Sequence, residues 1–360
     1  MTDTEIHGLF IKLVSAGLYG KDVLLSSYGE VDWEKVLQLA EEQSVVGLVT
    51  AGLERVTDVK IPQGEVLQFI GSTLQIEQRN KEMNAFIPKL FKTLQSEGVK
   101  ALLVKGQGVA QCYEKPLWRA SGDVDLLLDE ENYEKAKNVL FPIAYEIESE
   151  NVRAKHQAMR IMDVDVELHG RMPFGLSKSA DKVIDIVVET AMNQHETLGL
   201  DEAVKIPKAD EHVFLVFTHF LHHFFIEGVG LRQICDWCRM LWTYRDSLNY
   251  DLLEERICKA GLKTEWQAFA SLAVDSLGMP MSAMPLYDSK FKAKGERILK
   301  RVMKSGNFGH NNDLSYRSKY SGMAYNIVAT WRRFWDFASL VQVFPLDAPR
   351  FFVRYVFGKV

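Results

Sequence analysis

Between residues 99 and 171 the chain changes period, and that change limits what it can fold into. On either side apolar residues recur at helical spacing; within it, short runs alternate as strands do. The clearest are "DVDLLL" and "DVDVELHG". Alternate side chains of a strand share a face. Asp123 and Asp125 therefore point one way, and Val124, Leu126 and Leu128 the other. In the second strand Asp163, Asp165, Glu167 and His169 oppose Val164, Val166 and Leu168. If the strands are neighbours, up to five carboxylates converge. A wet sheet face would account for "DVDVELHG" alone. "DVDLLL" fits that reading less well, because it turns wholly apolar after Asp125, like a strand buried on both sides. A hard divalent cation at the strand mouth accounts for the pair: Mg²⁺ needs only one or two protein carboxylates, and three can hold two ions.

The flanks read as helices. "DWEKVLQLAEEQSVVGLVTAGLERV" is one helical stretch, with Asp32 to cap it. A longer helix places Ile87, Leu90, Phe91 and Leu94 on one face and closes at Gly98. Next come a strand "VKALLV", a short helix "GQGVAQCYE", the strand "DVDLLL", and a helix capped by Asp129 with Tyr133, Ala136 and Leu140 on one face. "IAYEIES" and "RAKHQAMRI" suit a hairpin about residues 150–151. After residue 171 the pattern is helical to the end. The expected fold class is α+β: a small mixed-sheet module over residues 98–172, between an N-terminal helical region (1–97) and a mainly helical C-terminal region (173–360).

Bulk properties narrow the function. A net charge of −5 gives no indication of nucleic-acid binding. Four cysteines in 360 residues make no disulfide framework. The N-terminus lacks the basic and apolar regions of a signal peptide, and no apolar run approaches the roughly 20 residues of a membrane span. A cytoplasmic setting is the simplest expectation.

"LLVKGQGVAQCYEKPLWRASGDVD" carries the next clue. Lys105-Gly106 stands where a strand gives way to a helix, with Gly108 two residues on. Glycine lets a phosphate approach the backbone, and Lys105 adds positive charge; a plain turn is the alternative. From strand to Lys-Gly turn, helix, Gly-Asp-x-Asp strand and later carboxylate strand, the order resembles the DNA polymerase β-like nucleotidyltransferase pattern. More narrowly, residues 102–171 resemble an uncharacterised nucleotidyltransferase-like family of bacterial proteins, on Lys105, Gly106, Arg119, Gly122, Asp123, Asp125 and Glu167-Leu168-His169. The resemblance implies Mg²⁺- or Mn²⁺-dependent transfer of a nucleoside monophosphate from an NTP to a hydroxyl or amine acceptor, with pyrophosphate released. It implies that Asp123 and Asp125 hold two ions, and that Glu167 is the third ligand and helps to deprotonate the acceptor. It also implies that Lys105 and the Gly106 amide face the triphosphate, and that Arg119 neutralises phosphate or braces the acidic strand. A thinner likeness extends to His222 or His223, Arg232 and Asp236, either the polar wall of an acceptor pocket or an interhelical hydrogen-bond cluster. A non-catalytic binding module on the same fold and a metal-dependent phosphohydrolase are the rival readings.

His219 and His223 at i, i+4 and Cys235 and Cys238 at i, i+3 invite a zinc reading, but the spacing departs from common zinc motifs. Core histidines and buried thiols are expected instead. The C-terminal stretch mixes Arg332, Arg333, Arg350 and Arg354 with aromatics, as an interfacial membrane helix or a packed helix would.

Overall fold

The computed structural model describes residues 1–172, 175–226, 228–307, 338 and 340–356. Helices α1 (Asp3–Tyr19), α2 (Trp33–Glu42), α3 (Val46–Leu53) and α4 (Gln63–Ser96) come first. The Asp32 side chain accepts from the Lys35 amide at 3.0 Å and caps α2, as expected. The helical stretch expected over residues 32–56 is broken in two, because Ser44 takes φ +55° and turns α3 back against α1. Gly17 and Gly52 make that contact: a Cβ on either would lie 2.0 or 2.1 Å from a backbone oxygen of the facing helix. In α4, Ile87, Leu90, Phe91 and Leu94 are all buried, and Gly98 follows at φ +70°.

Five strands then form one sheet: β1 (Leu102–Leu103), β2 (Asp123–Leu127), β3 (Glu146–Ile147), β4 (His156–Ile161) and β5 (Val164–His169), in the order β1-β2-β5-β4-β3. β2 and β5 are parallel, and the other pairs antiparallel. The parallel register sets Asp123 against Asp165, Asp125 against Glu167 and Leu127 against His169. Helices α5 (Gln107–Ala110) and α6 (Glu130–Leu140) follow β1 and β2, with Asp129 capping α6. Val124, Leu126, Val166 and Leu168 share an apolar cluster with Tyr133 and Ala136 of α6 and with the buried side of α4. Burial of that face leaves the aspartates and Glu167 on the other, as strand alternation requires.

Beyond the sheet lie α7 (Lys178–Asn193), α8 (Ala209–Ile226), α9 (Leu231–Tyr244), α10 (Tyr250–Ala260), α11 (Lys263–Ser271), α12 (Lys292–Ser305) and a last described helix, Asp347–Val356. The all-helical expectation for this region needs one correction. β6 (His195–Thr197) and β7 (Lys205–Pro207) form an antiparallel hairpin, too short to show alternation in sequence. It forms because Leu198, Val204 and Ile206 complete the apolar cluster beneath the sheet. A Lys92–Asp201 ion pair of 2.7 Å fastens it to α4. A second apolar cluster joins Phe10 and Leu13 of α1 to Phe217, Trp237, Trp266 and Phe269 of the later helices. The mixed α+β class with helices before and after a mixed sheet is therefore the observed one. Among the described residues no helix is long and apolar enough to cross a membrane. Arg332, Arg333 and the side chains of Arg350 and Arg354 lie outside the described residues.

Candidate active site

Three of the five carboxylates on the acidic strands converge. One oxygen each from Asp123, Asp125 and Glu167 lies within 4.8 Å of the others. Asp165 is drawn off by Arg160 on β4, whose Nε lies 2.7 Å from its Oδ1. Asp163 sits in the β4–β5 turn, outside the cluster. Asp125 is wholly buried, and its Oδ2 has no hydrogen-bond partner among the described residues. A buried carboxylate oxygen without a donor is costly. An all-oxygen donor set with one such orphaned atom fits a hard divalent cation.

The other oxygen of Asp125 is heavily committed. Lys105 Nζ lies 2.5 Å from Oδ1, and His169 Nε2 donates to the same atom at 2.8 Å. Lys105 arrives from the end of β1 through Gly106, whose φ of +56° and approach to the Asp123 carbonyl leave little room for a Cβ. Its ammonium also donates to His219 Nε2 on α8 at 3.1 Å. Burial and the adjacent Lys105 push His219 well below the ordinary histidine range, so its ring accepts rather than donates. Burial alone would raise the pKa of Asp125, but Lys105 and the His169 bond outweigh it and hold the carboxyl low. Asp123 is raised instead, first by repulsion from Asp125 and then by burial. Burial works against ionisation of Glu167 as well, yet bonds from His156 and His169 hold it far below the carboxylate range. Adjacent carboxylates of one strand are thus shifted in opposite directions by their partners.

Arg119 and Asp236 form a buried bidentate pair. Arg119 Nε lies 2.9 Å from Asp236 Oδ1 and Nη2 2.6 Å from Oδ2, and Tyr113 donates to Oδ1 at 2.7 Å. The remaining Arg119 donors bind the Ala120 carbonyl and the Ser121 hydroxyl, beside Gly122 and the mouth of β2. Asn80, buried on α4, donates to the carbonyls of Leu117 and Arg119 and fixes the same loop from below. These bonds set the path by which the chain enters β2.

Two spaces meet at this mouth. A cleft of about 540 Å³ is lined by Gly122, Asp123, Glu167, Arg79, Arg160 and Arg232, a size suited to a small-molecule ligand. A narrow inner pocket of about 40 Å³ lies towards α8 and α9, where Lys105, Asp125, His219, His223 and Arg232 meet. Asp123 and Arg232 border both. Arg232 donates from Nη1 to the Ala120 carbonyl at 2.7 Å, while its Nε is buried without a hydrogen-bond partner among the described residues. Burial and the nearby Arg119 lower its pKa. His222 turns away, with its ring 6.0 Å from that of Phe351.

His219 and His223 are ring neighbours at 4.5 Å, and the four cysteines are unpaired. Sequence reasoning missed three polar groups here, Arg79, Arg160 and His156, and met His219 only in the zinc reading. Arg79 binds the Gly122 carbonyl at 3.1 Å, Arg160 holds Asp165, His219 bonds Lys105, and His156 lies opposite His169 across β4 and β5. His156 and Arg160 carried a signal in their place in the strand-like run "RAKHQAMRI" beside "DVDVELHG", and His219 in its i, i+4 spacing from His223.

No curated protein and no solved structure matches this chain. A family model does, over residues 29–278, which takes in the acidic strands and part of each helical flank. By that match, the chain belongs to the uncharacterised nucleotidyltransferase family.

Proposed function

We propose that the protein is a divalent-metal-dependent nucleotidyltransferase that moves a nucleoside monophosphate from an NTP to a hydroxyl or amine acceptor and releases pyrophosphate. The observation that carries this reading is the convergence of Asp123, Asp125 and Glu167 at the edge of a 540 Å³ cleft, on neighbouring parallel strands. In this reading residues 98–172 are the catalytic core of a DNA polymerase β-like fold, with residues 1–97 and 173–360 as the helical regions around it. The unpaired cysteines are in keeping with a reducing, cytoplasmic setting.

Asp123, Asp125 and Glu167 would hold Mg²⁺ or Mn²⁺. Bound there, such a cation supplies Lewis-acid stabilisation of charge on the phosphate under attack. The chain's own residues do the rest. Lys105, beside the Gly106 amide, and Arg232, with its buried unpartnered Nε, offset triphosphate charge from the inner pocket. Arg79 and Arg160 line the outer cleft, where the base, sugar or acceptor would lie. Arg119 acts through Asp236 as a brace for the strand mouth, and Gly122 gives the cleft an open floor. The depressed pKa of Glu167 suits a ligand better than a base, so the acceptor proton leaves by another group or by water.

The test is incubation with each α-labelled NTP, Mg²⁺ or Mn²⁺, and fractionated metabolite and RNA pools. A labelled adduct together with pyrophosphate is expected, and Asp123→Asn should abolish both. Label recovered only as free nucleotide or phosphate would favour a phosphohydrolase. Unchanged turnover in Asp123→Asn would refute the site.

A further inference from the structure

Beside the all-oxygen set lies a second group of ligand atoms with different chemistry. His156 Nε2 on β4 is 3.2 Å from Glu167 Oε2, and His169 Nε2 on β5 is 3.4 Å from the same oxygen. The three atoms lie within 4.8 Å of one another. The histidines are cross-strand partners, with ring centroids 4.9 Å apart.

We infer that His156, Glu167 and His169 form a second divalent-metal site, of imidazole–carboxylate type, for a borderline transition ion such as Zn²⁺ or Co²⁺. It adds to the nucleotidyltransferase reading and shares Glu167 with it.

Three observations carry the assignment. Two imidazole nitrogens converge on a single carboxylate oxygen. As an ion-pair network this is poor, since the His169 contact is long at 3.4 Å and the same nitrogen lies closer, at 2.8 Å, to Asp125 Oδ1. As a coordination set it is ordinary, once His169 Nε2 gives up its proton, and with it the bond to Asp125 Oδ1, to the solvent in the cleft. The edge of a tetrahedron with metal–ligand bonds of about 2.0–2.1 Å is about 3.3–3.4 Å, which the two contacts match. The exposure gradient leaves a coordination position open: His169 is 7% exposed, His156 34% and Glu167 28%, and Glu167 borders the large cleft. An open position facing a cleft distinguishes a working site from a closed structural one. The ligand type also selects the ion. Imidazole suits Zn²⁺ and Co²⁺, whereas Mg²⁺ and Mn²⁺ favour oxygen. Each set therefore has its own preferred cation, with Glu167 between them.

The test titrates EDTA-stripped protein with Co²⁺ without nucleotide, reading visible absorption, with Zn²⁺ as competitor. One equivalent should give the intense bands of four- or five-coordinate Co²⁺, abolished by Zn²⁺. His156→Ala should weaken Co²⁺ affinity at least tenfold, and Asp123→Asn should leave it within twofold. Zn²⁺ should also shift the His156 and His169 imidazole resonances of the unaltered protein, a readout that needs no variant. Weak six-coordinate bands, unmoved His resonances, or a spectrum lost with Asp123→Asn but kept with His156→Ala would overturn the site. Mg²⁺–NTP binding, measured separately, should instead be lost in Asp123→Asn, so either reading can fail without the other.

Discussion

Asparagine at Asp123 or at Asp125 removes one negative charge from the same strand, yet the two changes should move stability in opposite directions. Asp123 lies within 4.8 Å of the Asp125 and Glu167 oxygens. At that distance two unit charges repel by about 3.5 kcal/mol at an effective dielectric constant of about 20. Lys105 and Arg232 offset most of this, which leaves a net relief of about 1 kcal/mol for Asp123→Asn. The sign agrees with the raised pKa of Asp123. Stability from such a group is present below the unfolded value of 3.8 and lost as pH rises through the folded one, so at neutral pH its ionised form weakens the fold. Asp125 is the anion for both Lys105 at 2.5 Å and His169 at 2.8 Å. Asp125→Asn strands those groups, and a broken buried pair costs about 3–5 kcal/mol. The lower end applies, because Lys105 is 21% exposed and asparagine keeps one acceptor oxygen. Urea unfolding at pH 7 in EDTA reads both. The Asp123→Asn midpoint should rise and the Asp125→Asn midpoint should fall, about 4 kcal/mol apart. Midpoints that move together would refute the division of roles between the two aspartates.

The Arg119–Asp236 pair should behave as a brace. Asp236→Leu strands the guanidinium and the Tyr113 hydroxyl and should cost about 3–5 kcal/mol in denaturant unfolding. Adding Arg119→Met should restore most of it, and a double variant as weak as the single one would contradict the brace. Burial would lower the pKa of His169, but its bonds to Asp125 and Glu167 outweigh that and raise it above the ordinary 6.5. The stability it contributes is complete below pH 6.5 and lost as pH rises through the folded value. Metal-free stability should therefore fall above pH 6.5, less steeply in His169→Gln, and equal slopes would rule this coupling out.

The sheet and its acidic face were legible because alternation in "DVDLLL" and "DVDVELHG" is a local property of the backbone. Strand pairing is not local. Only the register shows that Asp125 meets Glu167, that Arg160 diverts Asp165, and that His156 faces His169. The break at Ser44 escaped notice because its cause is the contact of α1 with α3, made through two distant glycines. The β6–β7 hairpin escaped because it is held by α4 and the core beneath the sheet. Lys105 was visible as a cation beside a glycine; its bond to His219, 114 residues later, was not.

That sequence separation has a consequence during synthesis. The acidic strand leaves the ribosome long before the groups that complete its surroundings, since Arg119 and Asp236 are 117 residues apart. At about 5–20 residues per second the loop before Asp123 waits about 6–23 s for its buried partner. In that interval Asp123 and Asp125 are an acidic pair not yet covered by α8 and α9, open to a free divalent cation. Metal capture would then come early in the life of the chain, and closure of α8 and α9 over Lys105 late.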